Sequence, residues 1–205
     1  MFVIALTGGI ASGKSTVCDL LAEKGAYILC SDLLAREVVR KGEPAWRDIV
    51  DHFGEGVLDE EGEIDRARLA EIVFSDPGER SFLNSVTHPR IFQLMFDRLR
   101  IRDEESGGEG VAVLDIPLLV DVKAAGMFDF TLVVDASPEA QLERITRDRG
   151  SSREEALSRI EAQVPRAERL AHADHVIRNE GSLEDLRREV DEAWEAIMRL
   201  AAEKR

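Results

Sequence analysis

The chain has few of the features that mark secreted, membrane-bound or nucleic-acid-binding proteins. Its 205 residues include two cysteines, Cys18 and Cys30. Two thiols make no disulfide framework, and they fit a reducing cytoplasm. No apolar run approaches the roughly 18 residues of a membrane span. The first run, Phe2–Leu6, lacks a basic flank and is too short for a signal peptide. Basic residues are also scarce: 27 Lys and Arg stand against 41 Asp and Glu, a formal net charge of −14. That balance argues against sequence-independent binding of nucleic acid or an anionic membrane, since both need a basic face. An anionic small molecule then requires a local cradle that overrides the global field. Repeats and low-complexity tails are absent. The length suits one domain, or one core carrying a sizeable insertion, with no need for a disulfide or metal staple.

Four short apolar runs stand out: 2–6, 27–30, 111–116 and 130–135, with a weaker fifth at 175–178. Continuous rather than alternating apolar character suits strands buried on both faces, as in a parallel sheet covered by helices. Helical periods lie between them. Val17, Leu20 and Leu21 share a face over 16–24, and Leu183, Leu186, Val190, Trp194, Ile197 and Leu200 share one over 183–201. Ser182 and Asp185 have capping-box spacing for the last helix. This alternation predicts an α/β fold. Between the second and third strands lie roughly 80 residues with helical segments near 33–53, 66–74 and 89–102, expected to form a helical insertion. At Thr87-His88-Pro89 the proline reads as the first turn of a helix. A second excursion, 138–165, opens at Pro138, and seven arginines and six acids fall between Gln141 and Leu170.

Gly8-Gly9-Ile10-Ala11-Ser12-Gly13-Lys14-Ser15 fits G-x-x-x-x-G-K-[ST], the phosphate-binding P-loop, placed between a strand and a helix as the motif requires. Its glycines let several backbone N–H groups turn into one hollow, and the helix N-terminus adds partial positive charge there. Lys14 is expected to reach the β- and γ-phosphates of ATP, and Ser15 to ligand Mg²⁺. Asp115, ending the third strand, is a second candidate for the metal shell, with a strand-terminal turn as the alternative. An Asn-Lys-x-Asp element for guanine does not occur. The D-x-x-G matches at Asp51–Gly54 and Asp59–Gly62 fall in the acidic helical stretch and are read as accidental. The arginine-rich excursion has the character of a lid that closes over ATP. After the second strand, Asp32 either accepts the proton of an attacking hydroxyl or, with Ser31, caps a helix.

The ordered set of motifs resembles the dephospho-CoA kinases over about residues 3–190. It comprises Thr7–Thr16, Ser31-Asp32 with Leu-Leu-Ala-Arg36, Gly42–Ala45, His52–Gly54, Thr87-His88-Pro89, Ile116-Pro117-Leu118-Leu119, Gln141-Leu142, Gln163 and Ala173–Asn179. The resemblance implies a P-loop core of five parallel strands in order 2-3-1-4-5, built from 1–32, 111–137 and 166–205. It also implies a helical acceptor-binding insertion at 33–110 and a lid at 138–165. The implied reaction is phosphorylation of the ribose 3′-hydroxyl of dephospho-CoA by ATP and Mg²⁺, the last step of coenzyme A biosynthesis. The implied setting is a cytoplasmic enzyme, favoured as a monomer, whose partners are these two small molecules.

Asp32 falls on the family's catalytic base, with Lys14 as the second catalytic group. Gly9, Ile10, Ala11, Ser12, Gly13, Lys14, Ser15 and Thr16 with Arg144, Arg147 and Arg149 fall on ATP-binding positions. Thr7, Arg36, His88, Leu118 and Leu119 fall on the acceptor side, and Ser15 and Asp115 on the metal side. Cys30 stands where the family often has Asp. Ala11 stands where glycine is frequent, a change the loop tolerates if φ is negative. The lid's usual Arg-Asp-Gly is shifted to Asp148-Arg149-Gly150, and Val120-Asp121 replaces the aromatic and Glu that often follow Pro-Leu-Leu.

Overall fold

A computed structural model describes residues 1–117, 119, 126–149 and 152–204, and the side chain of every residue among these except Arg149. The sheet expected from the apolar runs is present. Strands β1 (Phe2–Gly8), β2 (Tyr27–Cys30), β3 (Val111–Asp115), β4 (Phe130–Asp135) and β5 (His175–Arg178) form one five-stranded sheet in order β2-β3-β1-β4-β5. β1 pairs in parallel with β3 and with β4, and β4 pairs in parallel with β5. All positions of β3 and β4 are buried, which is why these strands read as continuous apolar runs.

The chain forms two compact units, Met1–Leu29 with Glu105–Arg205, and Cys30–Glu104. In the first, Phe2, Ile4 and Leu6 of β1 and Leu132 and Val134 of β4 share one buried face. They pack with Val17, Leu20 and Leu21 of α1 (Lys14–Glu23) and Leu186, Val190 and Ile197 of α9 (Leu183–Glu203). Each fully buried aliphatic side chain of this kind contributes roughly 1.5–3 kcal/mol of burial free energy. Ser182 caps α9 with the capping box read from the sequence: its hydroxyl accepts from the Asp185 amide, and Asp185 accepts from the Ser182 amide. The 138–165 excursion contains α6 (Pro138–Arg149) and α7 (Arg153–Glu161), followed by α8 (Arg166–Ala171).

The second unit contains α2 (Ser31–Glu37), α3 (Pro44–Phe53), a 3₁₀ turn at Glu55–Val57, α4 (Arg66–Ser75) and α5 (Pro77–Glu105). Its own core joins Ala45 and Ile49 of α3, Val57, Ile64, Leu69 and Val73 of α4, and Val86 of α5. Pro89 does not begin a helix. It lies inside the 29-residue α5, so the expectation from Thr87-His88-Pro89 is corrected. A proline in a helix interior removes one amide donor and crowds the preceding turn. Nearby carbonyls gain side-chain donors: Thr87 Oγ1 donates to Leu83 O and Arg90 to Val86 O. The Asp59–Gly62 match is a local turn, in which Asp59 accepts the amides of Glu61 and Glu63 between the bridged residues Leu58 and Ile64.

Ala11 departs from the conformation in which an alanine would be neutral. Its φ is +55°, in the left-handed region, among non-glycine residues otherwise at negative φ in the described chain. An L-residue there costs roughly 1–2 kcal/mol, of which the greater freedom of unfolded glycine returns part on substitution. Ala11→Gly is therefore expected to stabilise the protein by about 0.5–1 kcal/mol, a rise in melting temperature of roughly 2 °C by calorimetry. A lower melting temperature would show that the strain is absent.

Candidate active site

β1 ends at Gly8 and α1 begins at Lys14, so residues 9–13 make the turn between them. Gly13 is the N-cap of α1, and no side chain caps the helix. The first-turn amides are thus left for an anion, at the positive end of the helix. Gly13 has φ +90°, and a Cβ there would lie 2.1 Å from Asn179 Nδ2. At Gly9 a Cβ would lie 2.3 Å from Gln141 Nε2. Side chains at either position would collide with the groups that hold the loop.

Those groups satisfy the loop's carbonyls. Gln141 Nε2 donates to Ile10 O at 2.8 Å, Arg144 to Ala11 O at 3.2 Å, and Asn179 Nδ2 to Ser12 O at 2.8 Å. Arg144 also donates to Asn179 O at 2.7 Å, joining two of the anchors. The loop, residues 8–16, lines a cleft of about 760 Å³ together with Pro117, Arg144, Asp148, Gln163 and Asn179. Ser12 Oγ is buried within the loop without a hydrogen-bond partner among the described residues. Uncapped amides, a cradle closed to Cβ atoms and an unpartnered buried hydroxyl are the chemistry a phosphate chain requires.

Lys14 Nζ forms an ion pair with Asp115 at the end of β3. Ser15, on the first turn of α1, is exposed to the cleft. Ser15 and Asp115 supply hard oxygen donors of the kind Mg²⁺ takes, and Lys14 supplies the cation for phosphate oxygens. No group of three or more His, Cys, Asp or Glu side chains among the described residues could hold a metal ion. These residues therefore fit a Mg²⁺ that completes its shell with water and phosphate, rather than one held in a protein cage.

The arginines of the excursion occupy different places. Arg144 lines the cleft, and its guanidinium donates to the loop carbonyl Ala11 O and to Asn179 O after β5. Arg147 is exposed and donates to Asp148 at 2.8 Å, with Glu143 at 3.7 Å. Its hydrogen bond holds the Asp148 carboxyl below the usual carboxylate range. The Arg149 side chain and Leu118 lie outside the described residues. Thr7 is buried, its hydroxyl donating to Pro117 O at 3.2 Å, and Leu119 is fully buried. The anchoring roles of Gln141, Asn179 and Gln163 were not legible as such. The available signal was their place among the motifs shared with the family, which marks the positions but not what they bond.

In the second unit, α2 settles one open alternative. Its N-cap is Cys30, with no side-chain capping bond, so neither Ser31 nor Asp32 serves as cap. Asp32 is exposed on the first turn, and Arg36 follows at i+4 on the same helix face. Arg66, which the sequence reading missed, is held below its usual range by burial and by the charge of Arg36. Two neighbouring guanidinium groups make a local cationic spot in an acidic protein, suited to an anionic ligand. Burial also lowers the pKa of His88 from the ordinary 6.5. Folding then favours the neutral imidazole, so between the lowered value and 6.5 the unfolded chain binds more protons and stability rises with pH. The stability advantage of wild type over His88→Gln is expected to shrink as pH falls through that window in urea melts; a constant difference from pH 7 to 5 would contradict it.

The dephospho-CoA kinase family model matches residues 2–185. A dephospho-CoA kinase of Thermobifida fusca is 43% identical over 199 residues, covering 97% of this chain and 98% of the relative. The solved structure of a dephospho-CoA kinase from Campylobacter jejuni is 28% identical, covers 95% of this chain and 96% of its own, and superposes with a TM-score of 0.73. A solved Thermus thermophilus protein is 37% identical, with 95% and 97% coverage and a TM-score of 0.80. With its P-loop core and this match over nearly the whole length, the chain belongs to the dephospho-CoA kinase family.

Proposed function

We propose that the protein transfers the γ-phosphoryl group of ATP to the ribose 3′-hydroxyl of dephospho-CoA, completing coenzyme A, as a cytoplasmic monomer acting on small molecules alone. The observation that carries the kinase reading is the uncapped α1 N-terminus beside the Lys14–Asp115 pair. The acceptor identity rests on family membership. No helix among the described residues is long and apolar enough to cross a membrane.

In this reading the α1 amides and Lys14 bind the β- and γ-phosphates, and Lys14 exchanges its carboxylate partner for phosphate oxygens. Asp115, released from the lysine, would then be free to hold the metal. Ser15 and Asp115 would hold Mg²⁺, which neutralises charge on the transferring group when bound. Asp32, exposed and without a capping duty, orients the acceptor hydroxyl and accepts its proton. Arg36, Arg66 and the neutral His88 gather the acceptor's anionic and polar groups. Arg144 acts through the loop, by fixing the carbonyls whose amides face the nucleotide.

ADP release from ATP and Mg²⁺ is expected to be stimulated by dephospho-CoA and not by adenosine or AMP. Stimulation by another acceptor would keep the kinase and discard the substrate; silence with all three, despite ATP binding, would discard catalysis. Asp32→Asn is expected to lower turnover on the order of 10²–10⁴-fold while ATP still binds. Turnover within a few-fold of wild type would remove Asp32 from the chemistry.

A further inference from the structure

The tip of the phosphate loop is held from two sides, both by side chains of the 138–165 excursion. Ile10 O accepts from Gln141 of α6 at 2.8 Å. On the opposite edge of the same residue, Ile10 N–H donates to Gln163 Oε1 at 2.9 Å. Gln163 lies two residues beyond the end of α7, and its own amide donates to Ile160 O at 3.2 Å, which ties it to that helix's last turn. The same two helices meet the loop through apolar contact. Ile10, Ala11 and Ile160 pack against Leu142 and Ile145 of α6 and Ala156 of α7. The excursion is also stapled at its ends. Ser137 is bonded to Glu180 through both its amide and its hydroxyl, and Arg166 grips Asp135 at 2.8 and 2.5 Å.

We propose that Gln163 is a nucleotide-positioning residue: it fixes the Ile10 peptide through its oxygen and presents its amide NH₂ to the phosphate chain. The chemistry dictates which end of the side chain does which. Ile10 N–H is a donor, so the group facing it must be the carbonyl oxygen, and the NH₂ is left over. That NH₂ has no partner among the described residues, and Gln163 lines the cleft beside the loop. Oε1 therefore has a structural task and Nε2 has a free donor in a site built for an anion. The Ile10 amide is withdrawn from the set of loop donors, and the Gln163 amide takes its place one side chain further out. Because the residue is anchored to α7, movement of the α6–α7 pair shifts the Ile10 peptide and with it the phosphate cradle.

The inference rests on the nucleotide-binding reading of the cleft and is independent of the acceptor. Its test therefore uses ATP alone and amide hydrogen exchange. Gln163→Met keeps the volume and apolar stem but removes both polar ends; Gln163→Glu keeps an oxygen for Ile10 N–H and removes the donor. Without nucleotide, the Ile10 amide is expected to exchange about tenfold faster in Gln163→Met and at the wild-type rate in Gln163→Glu. ATP affinity by titration calorimetry is expected to fall about tenfold in Gln163→Met, and also to fall in Gln163→Glu despite its intact Ile10 protection. ATP affinity equal to wild type in both variants would overturn the proposal. So would unchanged Ile10 exchange in Gln163→Met. A variant that loses only melting temperature, with ATP affinity kept, would mark Gln163 as a packing residue and likewise overturn it. Wild-type protein that fails to bind ATP would overturn the cleft reading itself, and the exchange data separate that result from a failure of Gln163.

Discussion

A phosphate cradle made of backbone amides can work only if every other polar group of the same backbone is satisfied elsewhere. An N–H that waits for an anion cannot also be capped, and the carbonyls in the same short loop cannot be left facing the negative charge that arrives. In this protein the requirement organises much of the sheet's carboxyl edge. Arg144, Gln141 and Asn179 take the carbonyls of Ala11, Ile10 and Ser12, and they come from two separate stretches of chain. The glycines follow from the same arrangement, since the holders occupy the space that a Cβ at Gly9 or Gly13 would need. The loop also stores a cost: Ala11 sits at φ +55° and is kept there by the packing of Ile10 and Ala11 against α6 and α7.

The charge distribution follows from this economy of donors. A net charge of −14 would repel ATP and dephospho-CoA if binding depended on the average surface. The proposed function instead relies on attraction at short range, where it is least screened: helix amides and Lys14 in one unit, and Arg36 beside Arg66 in the other. The pairing of Lys14 with Asp115 compensates the lysine's charge within the site. Arg147 shows the contrasting case. It is an exposed cation bonded to an exposed Asp148, a pairing that solvent screens and weakens.

The sheet was legible because burial on both faces leaves a plain trace in a parallel strand. The expected second, fourth and fifth strands coincide with β2, β4 and β5, and the strand order expected from the family resemblance is the one observed. Helix periods and the Ser182–Asp185 cap were legible for similar local reasons. Pro89 misled because proline chemistry is local, whereas the continuation of α5 through it depends on packing by residues such as Val86 and Met95 on either side. At the site, the donors and the lysine could be read from the motif. The holders of the loop could not, because Gln141, Gln163 and Asn179 lie more than 130 residues away in sequence and bond to peptide groups, which have no sequence identity. Arg144 shows the limit most clearly: it lines the cleft as the resemblance implies, but its bonds to the Ala11 and Asn179 carbonyls could not be read from the sequence.

On the proposed function, the unsatisfied amides from the loop into the first turn of α1 hold the phosphates of ATP. Backbone NMR of the ¹⁵N-labelled protein, titrated with ATP and Mg²⁺, reads those amides individually. On that reading the largest shifts are expected on Gly13, Lys14, Ser15 and Thr16, with Lys14→Ala abolishing them at the same nucleotide concentration. Saturable ATP binding that leaves these four amides unmoved, with the shifts elsewhere in the chain, would contradict it.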